Sequence, residues 1–113
     1  MLYALCIINS TASAQDVYAS SKDGYDFYVL IETVNKSEYT TYNEGKNYSV
    51  TKVTGDVKKV KDGKLIKIQN WEFKSVNYRS FSYHTTDREY AGSLSGIGVK
   101  YAVDILHVMY PKW

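Results

Sequence analysis

Cysteine is nearly missing from this chain. Cys6 is its only copy, so no disulfide can form within the chain. Stability at this size must then come from packing and sheet pairing. Charge of one sign is missing too: 14 basic residues stand among 12 acidic ones, a net charge of +2. That balance gives no strong field to steer nucleic acid or an anionic membrane, so no nucleic-acid partner is expected. No apolar run approaches the roughly 20 residues that a membrane-spanning helix needs. Histidine occurs only as His84 and His107, with no cysteine or carboxylate at ligand spacing. No metal site and no cofactor are expected on that ground. Internal repeats, low-complexity stretches and linkers are also lacking, which leaves one domain.

The N-terminal segment carries an export pattern. Leu2–Ile8 is a short apolar run, followed by polar residues and then Ala12-Ser13-Ala14. Small residues at 12 and 14 match the A-x-A pattern for signal-peptide cleavage after Ala14. No Lys or Arg precedes the run, so residues 1–14 are expected to be an N-terminally truncated signal peptide. Residues 15–113 then form the single globular domain, exported to the periplasm or the cell surface. Cys6 leaves with the signal, and small secreted eukaryotic domains usually carry cystines, so a bacterial envelope is the expected setting.

What the chain does have is tyrosine, 12 residues in 113, with abundant Ser, Thr and Lys. Tyr and Thr suit pleated, half-buried surfaces, and tyrosine rings also suit contact surfaces. Residues 16–20 read as a short edge strand, followed by an Asp23-Gly24 turn. Tyr25–Val34 is the most apolar stretch, with Tyr25, Phe27, Val29 and Ile31 sharing one parity. Residues 35–47 are polar without a sustained period and read as a loop. Residues 48–60 return to alternation, with Gly55 marking a bend or bulge. Asp62-Gly63 between two alternating runs predicts a tight hairpin. In the next strand, residues 65–76, parity shifts between Ile66 and Ile68 on one side and Trp71 and Phe73 on the other. A bulge near Gln69-Asn70 would keep all four on the core face. Residues 78–85 read as a further strand and residues 86–96 as a loop. From Ile97 the spacing turns helical through Tyr101, Ile105 and Val108, with Ser95 as N-cap and Pro111 as the stop. The expected fold class is therefore α+β: an antiparallel β-meander of about five strands with one C-terminal helix packed on a face.

Three short runs carry a resemblance. Phe27-Tyr28-Val29, Glu32-Thr33-Val34 and the later Trp71-Glu72-Phe73 resemble the pattern of small exported bacterial β-sheet proteins of the surface-adhesin E-like group. Leu30 stands where an Asp commonly follows the aromatic-Val pair in that group. The resemblance implies an exported β-sheet fold and no chemistry assignable to particular residues.

No catalytic residues are expected. Ser82, His84 and Asp87 can be written as a nucleophile, base and acid, but residues 82 and 84 share one face of one strand, and nothing positions an oxyanion hole. The glycine-containing stretch 92–98 lacks both the Walker and the dinucleotide spacing, and reads as a loop leading into the helix. Contact residues are the better expectation. Lys58, Lys59 and Lys61, with Lys64 and Lys67, read as a basic fin on the hairpin. Tyr39 and Tyr42 read as contact aromatics in a loop, and Trp71 as a ring that could stack on a ligand. Together these point to a non-catalytic binding module of the bacterial envelope, engaging an envelope protein or a glycan. The alternative is a carbohydrate- or small-ligand-binding domain that uses exposed aromatics.

Overall fold

The computed structural model describes residues 16–113; the expected signal peptide and its cleavage point lie outside the described residues. Six strands follow one another: β1 (Asp16–Lys22), β2 (Tyr25–Asn43), β3 (Lys46–Lys61), β4 (Lys64–Val76), β5 (Ser82–Thr85) and β6 (Ala91–Ser93). Each pairs antiparallel with the next, so spatial order equals sequence order. The sheet curls into a half-barrel around one helix, α1 (Lys100–Met109).

This corrects the expected count of about five strands. The extra strand is β6, which lies inside the stretch read as a loop. It is only three residues long, too short to show alternation. The loop expected at residues 35–47 is also replaced. β2 continues through Asn43 and turns back at Glu44-Gly45 into β3. Glu44 (φ 52°) and Gly45 (φ 79°) have the same left-handed pair of dihedrals as Asp23-Gly24 and Asp62-Gly63. Type I′ hairpin turns demand positive φ at both central residues, and Asn or Asp before Gly is the usual sequence sign. Glutamate at the first position hides the same turn.

The core lies on the concave face. Phe27 and Val29 of β2, Val53 and Val57 of β3, and Trp71 and Phe73 of β4 point inward with the parity that alternation demands. Against them α1 lays Tyr101, Ala102, Ile105, Leu106 and Met109, all buried. Gly55 sits opposite the helix. A Cβ there would lie 3.0 Å from Met109 Cε and 3.2 Å from a Val34 methyl, so the missing side chain lets helix and sheet close together.

Two further expectations change. β3 and β4 stay in uniform register past Gln69 and Asn70, and the irregularity falls instead between Lys59 and Val60, opposite Ile66. Leu65, Ile66 and Ile68 therefore face outward, with Ile66 and Ile68 about half exposed (50% and 51%). The helix begins at Lys100, and Val99 caps it without a side-chain hydrogen bond. Ser95 bonds Ser93 instead, and Ile97 is fully exposed ahead of the first turn.

Candidate functional site

The aromatic cluster fixes what is inside. Trp71 is wholly buried, stacked against Tyr90 (5.4 Å between centroids), Phe73 (5.9 Å) and Tyr83 (5.9 Å). Phe27 and Tyr101 meet its ring edge-on. Tyr83 and Tyr101 share a buried hydroxyl–hydroxyl hydrogen bond of 2.9 Å. Burial, helped by that bond, pushes the Tyr101 phenol well above the usual tyrosine range. Trp71 is thus a core residue, out of reach of any ligand that the expected stacking role would need.

The expected basic fin is split by the sheet. Successive residues of a strand point to opposite faces, so Lys58 and Lys59 part company. Lys58 lies on the convex face in an ion pair with Asp16. Lys59 turns into the concave face and is 3% exposed. Its ammonium bonds Glu89 at 2.6 Å and lies 4.1 Å from the centre of the Tyr25 ring and 5.2 Å from that of Tyr90. Lys61 also lies over Tyr25, at 5.1 Å. Lys67 bridges Asp87 and Glu89, both at 2.9 Å. Lys59 has almost no surface to offer a partner, so it is corrected from contact residue to the buried member of a part-buried ion pair.

These residues lie toward the Asp62-Gly63 turn end of β3 and β4. Gln69, itself buried, donates from Nε2 to Glu89 (2.7 Å) and to Asp87 (3.2 Å). The Thr85 hydroxyl donates to Asp87 Oδ1 at 2.7 Å. Lys67, then Thr85 and the Glu89 amide, hold the Asp87 carboxyl well below the usual aspartate range. Lys59 holds Glu89 low against the opposing effect of burial, with Lys67 assisting. Burial works against the Lys59 ammonium, yet its bonds to Glu89 and Tyr90 outweigh that and leave its pKa raised. Every charge has an opposite partner at hydrogen-bond distance, which makes the cluster a lock on the fold.

The lock has a pH signature. Asp87 and Glu89 ionise below their ordinary values of 3.8 and 4.5, so the unfolded chain takes up protons more readily than the folded one. Their stabilisation is whole above about pH 5, begins to be lost as pH falls through those values, and goes on being lost down to the lower folded-state values. Replacing Asp87 with Asn should therefore flatten the fall of Tm between about pH 5 and pH 3, followed by circular dichroism melts. An acid limb parallel to that of the wild type would show that Asp87 is not part of it.

The Ser82, His84 and Asp87 set is not assembled. His84 pairs with Glu72 at a convex-face position of the sheet, while Asp87 is held by Lys67 and Gln69 on the concave side. Ser82 donates to the Lys74 carbonyl. Among the described residues no group of three His, Cys, Asp or Glu is placed to hold a metal ion, and no helix is long and apolar enough to cross a membrane.

The loop tyrosines are exposed and stand on an arm, while Tyr18 (52%) and Trp113 (41%) are exposed elsewhere. Past Asn35 and Thr54 the β2–β3 ribbon runs on to its tip at Glu44-Gly45, and β4 follows it only as far as Val50, opposite Val76. The molecule measures 64 × 29 × 24 Å. Tyr39 is 47% and Tyr42 70% exposed. Tyr78, missed by the sequence reading, joins them at 70%. Asn77 and Tyr78 are consecutive residues at positive φ (54° and 58°). A bulky residue there is strained, and such strain persists only where surrounding contacts hold it. Here Asn77 supplies them: its amide donates to Ser49 O, and its Oδ1 accepts from Ser49 N–H at 2.9 Å. The result is a cleft of about 220 Å³ lined by Glu38, Tyr39, Thr40, Ser49, Val50 and Tyr78. Nothing in the local sequence signals Tyr78, because the turn that presents it has no glycine.

A second and larger cleft, of about 360 Å³, lies on the convex face between Asp16, Tyr28, Lys58, Val60 and Leu65. No family model, no curated protein and no solved structure matches the chain.

Proposed function

We propose that this chain is a non-catalytic binding module of the bacterial cell envelope, exported to the periplasm or cell surface, and that the β2–β3 arm is its contact element. Kinship with the surface-adhesin E-like proteins belongs to the same proposal. The observation that carries it is the placement of Tyr39, Tyr42 and Tyr78. These three rings stand on a projecting ribbon and the turn beside it, while the other large aromatic side chains from Phe27 to Tyr101 mostly fill the core. A tyrosine ring gives a large, stiff contact area at little entropic cost. The partner is an envelope protein.

Affinity capture from bacterial envelope extracts tests this, comparing the wild type with a variant carrying Tyr39→Ser, Tyr42→Ser and Tyr78→Ser. All three side chains are largely solvated, so the variant should fold. It should lose the proteins that the wild type retains. Equal retention by both would sink the arm as the contact element.

A second reading is favoured by the composition of the cleft. Two tyrosines, the Thr40 and Ser49 side chains and the Glu38 carboxylate surround one groove. Rings and hydroxyl partners in that arrangement suit a carbohydrate or another small polar ligand. A glycan array probed with the same two proteins separates the readings, since a saccharide retained only by the wild type would favour this one.

A further inference from the structure

A curled antiparallel sheet has free edges, and each is a template for another strand unless something blunts it. Four of the edges here are blunted. β4 from Lys64 to Asn70 lies outside the reach of β5, but Lys64 and Lys67 stand on it and Thr86 donates to the Asn70 carbonyl at its end. β1 is seven residues long, carries a bulge between Tyr18 and Ser20, and ends in charged residues at Asp16 and Lys22. β6 is three residues long. Beyond Val50 the far side of β3 is held by Asn77 through Ser49.

The fifth edge is different. β1 covers β2 only from Tyr25 to Leu30, and no strand among the described residues covers the same side of β2 from Ile31 to Asn43. That stretch holds no proline and no glycine. Its outer half, Asn35–Asn43, is exposed throughout. Its last part, Thr40–Asn43, lies beyond the end of β4 in a two-stranded ribbon, which is marginal in water unless another strand joins it.

The charges on this edge are arranged to match themselves. Ser37 is the midpoint of the uncovered stretch. Lys36 and Glu38 flank it and point to one face, being two residues apart. In an antiparallel pairing of this edge with its own copy about Ser37, the whole uncovered stretch is used. Lys36 of each copy then falls opposite Glu38 of the other, twice by symmetry. Closed two-fold pairing of one patch with itself is the common route to dimers. The Lys36 ammonium lies 5.2 Å from the Tyr110 ring centre, and no carboxylate within the chain forms an ion pair with it among the described residues.

We infer that the Ile31–Asn43 edge of β2 pairs with the same edge of a second copy, antiparallel about Ser37, to form a continuous twelve-stranded sheet in a homodimer. The inference stands apart from the tyrosine contact reading, since it uses the backbone edge and two charges rather than the rings.

The test uses the full chain with Cys6→Ser, so that any thiol is an introduced one. Sedimentation velocity should show a concentration-dependent dimer. Lys36→Glu alone, or Glu38→Lys alone, sets like charges opposite each other at two places and should raise the dimer Kd by about tenfold or more. The double exchange Lys36→Glu with Glu38→Lys restores both ion pairs and should recover the wild-type Kd, which also shows that the single variants are not simply misfolded. On air oxidation Ser37→Cys should give a disulfide-linked dimer. Thr41→Cys should stay unlinked, because residue 41 falls opposite residue 33. A monomer at every concentration would overturn the inference. So would single reversals without effect, or linkage at 41 as ready as at 37.

Discussion

Replacing Trp71 with Ala is expected to cost about 3–5 kcal/mol of unfolding free energy. The ring is fully buried and touches five other aromatic rings, two edge-on and three stacked. Its neighbours come from β2, β4, β5, the turn at Tyr90 and α1, so no single element can move to refill the space. A domain of this size has about 5–15 kcal/mol in total, so the loss should bring it close to unfolding at growth temperature. Trp71→Phe should cost under half as much, because a flat ring remains in the stack. The indole Nε1 has no hydrogen-bond partner among the described residues, so the exchange breaks no such bond. Urea unfolding followed by far-ultraviolet circular dichroism measures both. A cost below about 1 kcal/mol for the alanine variant would mean that the aromatic stack is not what holds the sheet to the helix.

The residues that reveal their place in the sequence are those with one face in water and one in the core. Phe27 and Val29, then Trp71 and Phe73, show the two-residue period because burial on one side forces it. Tyr101, Ile105 and Met109 show the helical period for the same reason. Where both faces are wet, no alternation exists to be read. Residues 35–47 are therefore strand with the composition of a loop, and only the Gly45 turn betrays them. A second failure has the opposite cause. Lys58, Lys59 and Lys61 look like one patch because they are neighbours along the chain, yet adjacent strand residues face opposite sides. Lys59 occupies the same parity as Val53, Gly55 and Val57, which is a core position. The residues that make it tolerable there, Glu89 and Tyr90, lie about 30 residues further on and follow no local rule. The misplaced bulge has the same root. Moving the irregularity to Gln69 would bury Ile66 and Ile68, and apolarity alone favours that. The register instead keeps Lys67 and Gln69 inward, where Asp87 and Glu89 can meet them.

The two partners of the buried ion pair are expected to respond unequally to removal. Glu89→Ala should cost about 3 kcal/mol, near the lower end for breaking a buried pair, because Glu89 itself is about one-third exposed and water can enter. The severity comes from what is left behind. Lys59 is 3% exposed, and among the described residues Glu89 is the one carboxylate bonded to it. Without that carboxylate its ammonium keeps only the faces of Tyr25 and Tyr90, which together are worth about 1–2 kcal/mol. Lys59→Met should be far milder, at most about 1.5 kcal/mol. The thioether fills the slot between the two rings, and Glu89 retains both Lys67 and Gln69. The pH dependence separates a charge effect from a packing effect. In the wild type the raised pKa of Lys59 means that its stabilisation is complete below the ordinary lysine value of 10.5 and is lost only above it. In Glu89→Ala, burial, the largest single influence on Lys59, is opposed only by Tyr90, so the folded state should release the Lys59 proton more easily than the wild-type fold does. Stability should then rise as pH approaches the ordinary lysine value of 10.5 in that variant and stay flat there in the wild type. Chemical unfolding at a series of pH values measures the slope. Equal losses for Glu89→Ala and Lys59→Met, with no rising limb in the former, would mean that the slot is held by shape and that the charge of Lys59 contributes nothing to the fold.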